Sequence, residues 1–292
     1  MKFRSRADRI FDWANAGFLA VLALAMIFPF FYLFSVSFTT FDEYLRSQFL
    51  IWPKKWVADA YLYILESQSF MRSLKVTVII TLIGTATNLA FTSMMAYGLS
   101  RKIIGQQTIM FMVLFTMLFS AGMIPSYLVV KETGLLDSIW ALIIPSAIAP
   151  FNLIIVRQFF MGIPREIEES AIMDGANDLS IFARIILPLS KPVLATFTLF
   201  YAVGHWNNYF SGILYLNDAT KWPIQVILRQ IVVQSDAINA LGVANQAMLE
   251  SPPPPETVQM AAILVATVPI LIIYPFLQKH FAKGVMVGSI KG

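Results

Sequence analysis

Six stretches of the chain run for 19 residues or more without an Asp, Glu, Lys or Arg: 13–41, 76–100, 103–130, 138–156, 192–217 and 257–278. The next longest, 237–249, has 13 residues and is less hydrophobic. A bilayer's hydrocarbon core is about 30 Å thick, which a helix crosses in roughly 20 apolar residues. The pattern therefore predicts an all-α membrane protein with six transmembrane helices, at about 14–38, 76–99, 106–130, 138–160, 193–216 and 257–278. The windows are apolar on every side, whereas barrel strands would alternate. The first has about twice the apolar length of a signal peptide and no small-residue cleavage site, so it is expected to stay as an anchor.

An even number of crossings puts both termini on one side, and the basic residues say which. The N-terminus, the 101–102 turn, the 157–191 loop and the C-terminus together hold 13 Lys and Arg for a net charge of +6, against 8 and −2 for the other segments. Both termini are expected in the cytoplasm. Pro252-Pro253-Pro254-Pro255 before the last window reads as a stiff extended strut. No repeat, low-complexity tract or detachable soluble domain interrupts the chain, so residues 1–292 are expected to form a single transmembrane domain.

Composition narrows the field further. Hydrophobic residues make up 58% and charged residues 13%, with a mean hydropathy of +0.69, far from a soluble domain. A net charge of +4 is too mild for a nucleic-acid surface. With no cysteine and only His205 and His280, there is no thiolate nucleophile or Cys-ligated metal, and no metal site or cofactor is expected on this chain. No phosphate loop or catalytic motif is present either, so the chain is expected not to be an enzyme and any energy must come from elsewhere.

The longest segment between windows on the basic side, a loop over 162–191, reads as two short helices and a turn. Pro164 suits a helix start, with Glu166, Glu168 and Glu169 at the positive end of the dipole. Gly175 supplies a left-handed stop, Asp178 a cap for a second helix, and Ile181, Phe182, Ile185 and Ile186 its apolar side before Pro188. Such residues equally suit an amphipathic linker at the headgroups.

The run Glu169-Ser170-Ala171, then Asp174-Gly175-Ala176 and Leu187-Pro188-Leu189, resembles the EAA signature of bacterial ABC importer permeases, with Ser170 in place of the usual Ala. Trp206-Asn207-Asn208-Tyr209-Phe210 and the tail Gly284 to Gly292 are similar to carbohydrate-uptake permeases, specifically the maltose importer's smaller one. Ser120 to Tyr127 and Gly134-Leu135-Leu136-Asp137 resemble the oligosaccharide and polysaccharide branch that includes the alginate importer. The resemblance implies the binding-protein-dependent permease fold in a bacterial inner membrane. It implies a second homologous permease subunit, two ATP-binding cassette subunits holding ATP and Mg, an extracytoplasmic solute-binding protein and a carbohydrate substrate. It makes the loop the coupling helix that docks on an ATPase through Glu168, Glu169, Ser170, Ala171, Asp174, Gly175, Ala176, Leu187 and Pro188. Gly288, Ser289 and Lys291 of the tail would reach between the ATPases, although Lys291 equally suits a positive-inside anchor.

Polar groups inside the windows are candidates for a substrate path: Asn88, Asn152, Trp206, Asn207, Asn208 and Tyr209. Apolar sugar faces stack on rings while hydroxyls bond amides. Asn88, Asn152 and His205 equally suit helix-to-helix cross-links. The alternative is an ion-coupled secondary transporter or channel without an ATPase, but no window holds a carboxylate or basic group to couple an ion.

Overall fold

The computed structural model describes residues 6–46, 50–233 and 253–288. Thirteen helices order these residues: α1 Arg6–Ser37, α2 Phe41–Arg46, α3 Asp59–Glu66, α4 Gln68–Ser100, α5 Gln106–Leu118, α6 Met123–Glu132, α7 Pro150–Met161, α8 Arg165–Met173, α9 Asp178–Leu189, α10 Lys191–Trp206, α11 Phe210–Tyr215, α12 Ile224–Val233 and α13 Pro255–Gly288. Short 3-10 turns lie at Ile139–Leu142, Ile144–Ser146 and Ala219–Lys221.

Three stretches are long and apolar enough to cross a bilayer unbroken: Arg9–Ser37, Gln68–Ser100 and Pro255–Ile273. The other windows are helical but interrupted, each for a local reason. In 106–130 the chain leaves the helix after Leu118 and restarts at Met123, across Gly122 at φ +85°. Pro125 has no N–H to return to Ala121, so the break is built in. In 138–160 the turns at Ile139–Ser146 meet α7 at 52°, where Pro150 opens the helix. In 193–216 α10 ends at Trp206, after about 24 Å of rise at 1.5 Å per residue. Asn207 Nδ2 donates to the Val203 carbonyl, and Asn208 Oδ1 accepts from the Ser211 N–H to start α11. Pro255, expected in an extended strut, is instead the first residue of α13.

The chain divides into two compact units. The first takes Met1–Met71 and Leu228–Thr267. Its knot is aromatic: Phe38 stacks on Tyr61 with centroids 4.6 Å apart, and Trp52 and Trp56 meet edge-on at 5.1 Å. Tyr61 and Ser37 share a hydroxyl bond of 2.7 Å.

The second unit takes Arg72–Ile227 and Val268–Gly292. Its main core joins Ala96 and Leu99 of α4, Leu153, Val156 and Phe160 of α7, Ala171 of α8, Ile181, Phe182 and Ile186 of α9, and Val193, Phe197 and Tyr201 of α10. The loop read from the sequence as two short helices and a turn is thus partly core.

Candidate functional site

The elbow formed by α8 and α9 has the geometry the sequence pattern calls for. Pro164 stands immediately before the first residue of α8, and Gly175 at φ +85° ends it. The Ala176 N–H reaches the Ala171 carbonyl at 2.9 Å and the Gly175 N–H reaches Ile172 at 2.9 Å, the paired bonds of a Schellman stop. The second helix is capped by Asn177, whose Oδ1 accepts from the Ser180 N–H at 2.8 Å. Asp178, expected in that role, is one residue inside, where its carboxylate meets the positive end of the dipole. A π-turn at Phe182–Ile186 follows, just ahead of Pro188, which cannot donate a backbone bond. An 81° bend then leads into α10.

The two sides of the elbow differ. Ala171, Ile181, Phe182 and Ile186 are buried, Ala176 and Leu187 half-buried. Glu169, Ser170, Asp174, Gly175 and Pro188 are exposed. Beside them stand Ile172 and the more exposed Leu179 and Met173, the last 86% exposed. An apolar and acidic patch therefore faces outward from a packed base.

Glu168 and Glu169 part company, because successive helical residues are about 100° apart. Glu168 is buried and paired with Arg101, just past the end of α4. Partial burial alone would lower the Arg101 pKa, but the Glu168 carboxylate outweighs it and raises the pKa. The Arg101 guanidinium also lies 4.6 Å from the Tyr97 ring centroid. Sequence reasoning counted Arg101 only as a positive-inside charge; its position one residue beyond a charge-free window was the available signal.

Polar groups within the spans form a brace. Asn88 Nδ2 donates to the Ser146 carbonyl at 2.8 Å, and its Oδ1 lies 3.1 Å from His205 Nε2. Thr92 and Tyr201 share a hydroxyl bond at 2.7 Å one turn along. The His205 ring lies flat against Gly84, where a Cβ would meet ring atoms at 2.5–2.8 Å. Asn152 is half-buried in the first turn of α7. Trp206 is buried and lines an apolar cleft with Thr81, Leu199, Val203, Ile270 and Ile273. Asn207 is exposed, and Asn208 and Tyr209 are half-buried. Among the tail residues Gly288 is the last of α13, while Ser289 and Lys291 lie outside the described residues.

Residues 89–287, which include the elbow, match the profile of the family described as binding-protein-dependent transport system inner membrane component. The chain belongs to this family. It is accordingly a permease of an ABC importer, a transport component rather than a catalytic one, with the helical fold that the EAA resemblance implied. The polygalacturonan/rhamnogalacturonan transport system permease protein YtcP of Bacillus subtilis (strain 168) is 53% identical, over 98% of this chain and 99% of that protein. Protein LplC of the same strain is 50% identical, over 99% and 97%. A crystal structure of a bacterial ABC transporter involved in the import of the acidic polysaccharide alginate contains a chain 37% identical to this one. It superposes with a TM-score of 0.90 over 96% of this chain and 100% of that one.

Proposed function

We propose that this chain is one of two homologous membrane-spanning subunits of an ABC importer carrying an acidic oligosaccharide or polysaccharide fragment across the bacterial inner membrane. The substrate class follows its relatives, a polygalacturonan/rhamnogalacturonan permease and an alginate transporter. Both termini are cytoplasmic, as the distribution of 13 against 8 basic residues favours. ATP and Mg are held by two cassette subunits, and a solute-binding protein delivers the sugar outside.

The observation that carries this reading is the two-sided elbow: a packed base and an exposed patch of Glu169, Ile172, Met173 and Leu179. Glu169 pairs with a basic group of the ATPase, Ile172, Met173 and Leu179 fill an apolar cleft there, and Gly175 keeps the turn tight. The tail residues Gly288, Ser289 and Lys291 reach between the cassettes. The sugar passes the break at Asn207 and Asn208, flanked by Trp206 and Tyr209, with Asn152 as a further contact. Asn88, with both amide atoms engaged, acts as a brace.

The test is purification from its host followed by reconstitution. The wild-type chain is expected to bring down a second permease and an ATPase. Glu169→Ala and Gly175→Val are expected to leave basal ATP hydrolysis in place while removing its stimulation by substrate. Purification of a chain that transports alone, or full stimulation in both variants, contradicts the reading.

A further inference from the structure

The acidic run of α8 divides its labour: Glu169 faces out, whereas Glu168 is turned into the protein on Arg101. Arg101 in turn sits over Tyr97 of the last turn of α4, and the Tyr97 ring meets Phe182 of α9 at 5.0 Å. Both arms of the elbow, α8 through Glu168 and α9 through Phe182, therefore converge on one turn of one helix. That turn is itself tied down. The Leu99 carbonyl, left without an intrahelical donor at the helix end, accepts from Arg157 Nε of α7 at 2.7 Å and from Gln106 Nε2 of α5 at 2.6 Å. Ala96 and Leu99 pack in the same core as Ala171 and Ile181.

We infer that Arg101 and Glu168 form an internal latch that makes the elbow a rigid extension of α4, so that a push on the elbow from an ATPase is delivered to α4. Glu168 is then a positioning residue that acts through Arg101 and not on the ATPase. A carboxylate on a docking face gains from staying exposed, as Glu169 does, whereas one bonded to its own chain's arginine fixes an angle. Packed elements have discrete arrangements, so a latch of this kind transmits displacement with little loss. Arg157 and Gln106 extend the same joint to α7 and α5, and all three helices share the load.

The inference rests on the importer reading above, and its test separates the two. The chain has no cysteine, which makes an introduced pair unambiguous. Arg101→Cys with Glu168→Cys removes the latch, and a short bis-methanethiosulfonate reagent restores it covalently. Co-purification of the wild-type chain with an ATPase is read first; its failure overturns the importer reading and leaves the Arg101–Glu168 geometry as it is. In the assembled complex the unlinked pair is expected to lower transport per ATP hydrolysed by about 5-fold or more, the lower end of coupling between distant sites. Cross-linking is expected to restore it, with basal hydrolysis unchanged throughout. Full coupling in the unlinked pair, a cross-link that forms and blocks transport, or no cross-link in any nucleotide state overturns the latch. If the cysteine pair does not assemble, Arg101→Glu with Glu168→Arg decides: recovery above both single variants supports the latch, and none overturns it.

Discussion

Adding one methyl group at Gly84 tests the polar brace inside the bundle. An ideal Cβ there would lie 2.5, 2.6 and 2.8 Å from Nε2, Cε1 and Cδ2 of His205. Non-bonded carbon atoms settle at about 3.5–4.0 Å, so Gly84→Ala forces the ring away by about 1 Å. The push is across the ring face, so that displacement stretches the 3.1 Å contact between Nε2 and Asn88 Oδ1 only slightly but tilts it out of the ring plane, where a hydrogen bond is weak or lost. His205 is 5% exposed and Asn88 2%, so no water replaces the lost bond. A hydrogen bond between helices in a membrane bundle is worth about 0.6 kcal/mol and at most about 1.7 kcal/mol. Overpacking adds on the order of 1 kcal/mol, giving a total of about 1–2 kcal/mol. The purified protein's thermal midpoint, read from tryptophan fluorescence at a fixed scan rate, should fall by about 2–6 °C. The decisive control is the His205→Ala background, where the ring is gone and the methyl group has room. There Gly84→Ala should shift the midpoint by less than about 1 °C, since the two positions act through one contact. An equal fall in both backgrounds refutes the reasoning, as does no fall in the first.

Other outcomes follow from single contacts. Asn177→Ala removes the α9 cap and should cost about 1 kcal/mol, seen as a lower midpoint and faster exchange of the Ser180 amide. Gly175→Ala should cost about 1–2 kcal/mol although its Cβ meets nothing within 4 Å, because the penalty lies wholly in the positive φ; Gly175→Asn should cost less. At the clasp between Asp137 and the 217–221 segment, pH should matter. The N–H of Asp218, then Lys221 and the N–H of Asn217, hold the Asp137 carboxyl below its usual range. A depressed pKa means the contribution is present above the unfolded value and fades as pH falls through the folded one. Protection of the Asn217 and Asp218 amides, corrected for intrinsic exchange, should therefore persist at neutral pH and drop in acid below about pH 4. Asp137→Asn should flatten that dependence.

What was legible in the sequence was what lipid or backbone geometry demands directly. Charge-free runs mark helices because hydrocarbon excludes charge, and Gly175 marks a stop because few other residues accept its φ. The breaks inside the apolar windows were not legible by that rule. Composition is continuous across Gly122 and across Asn207-Asn208, and the interruptions come from a missing proline donor and from amide side chains competing with the backbone. Asn177 and Asp178 are both good caps, and only the final phase of α9 separates them. The inward turn of Glu168 depends on which side of α8 meets the core, and its partner Arg101 lies 67 residues away in sequence. Long-range pairing of this kind leaves no local signal.

The central claim is that the outward patch of the elbow is where an ATPase engages this permease. Met173, 86% exposed, is the natural reporter, and Met173→Cys is the only thiol the chain would carry. Its maleimide labelling rate should be high in the permease stripped of its ATPase and should fall several-fold when the cassette subunits are bound. Equal labelling with and without a bound ATPase, in a complex still importing its sugar, would contradict the account.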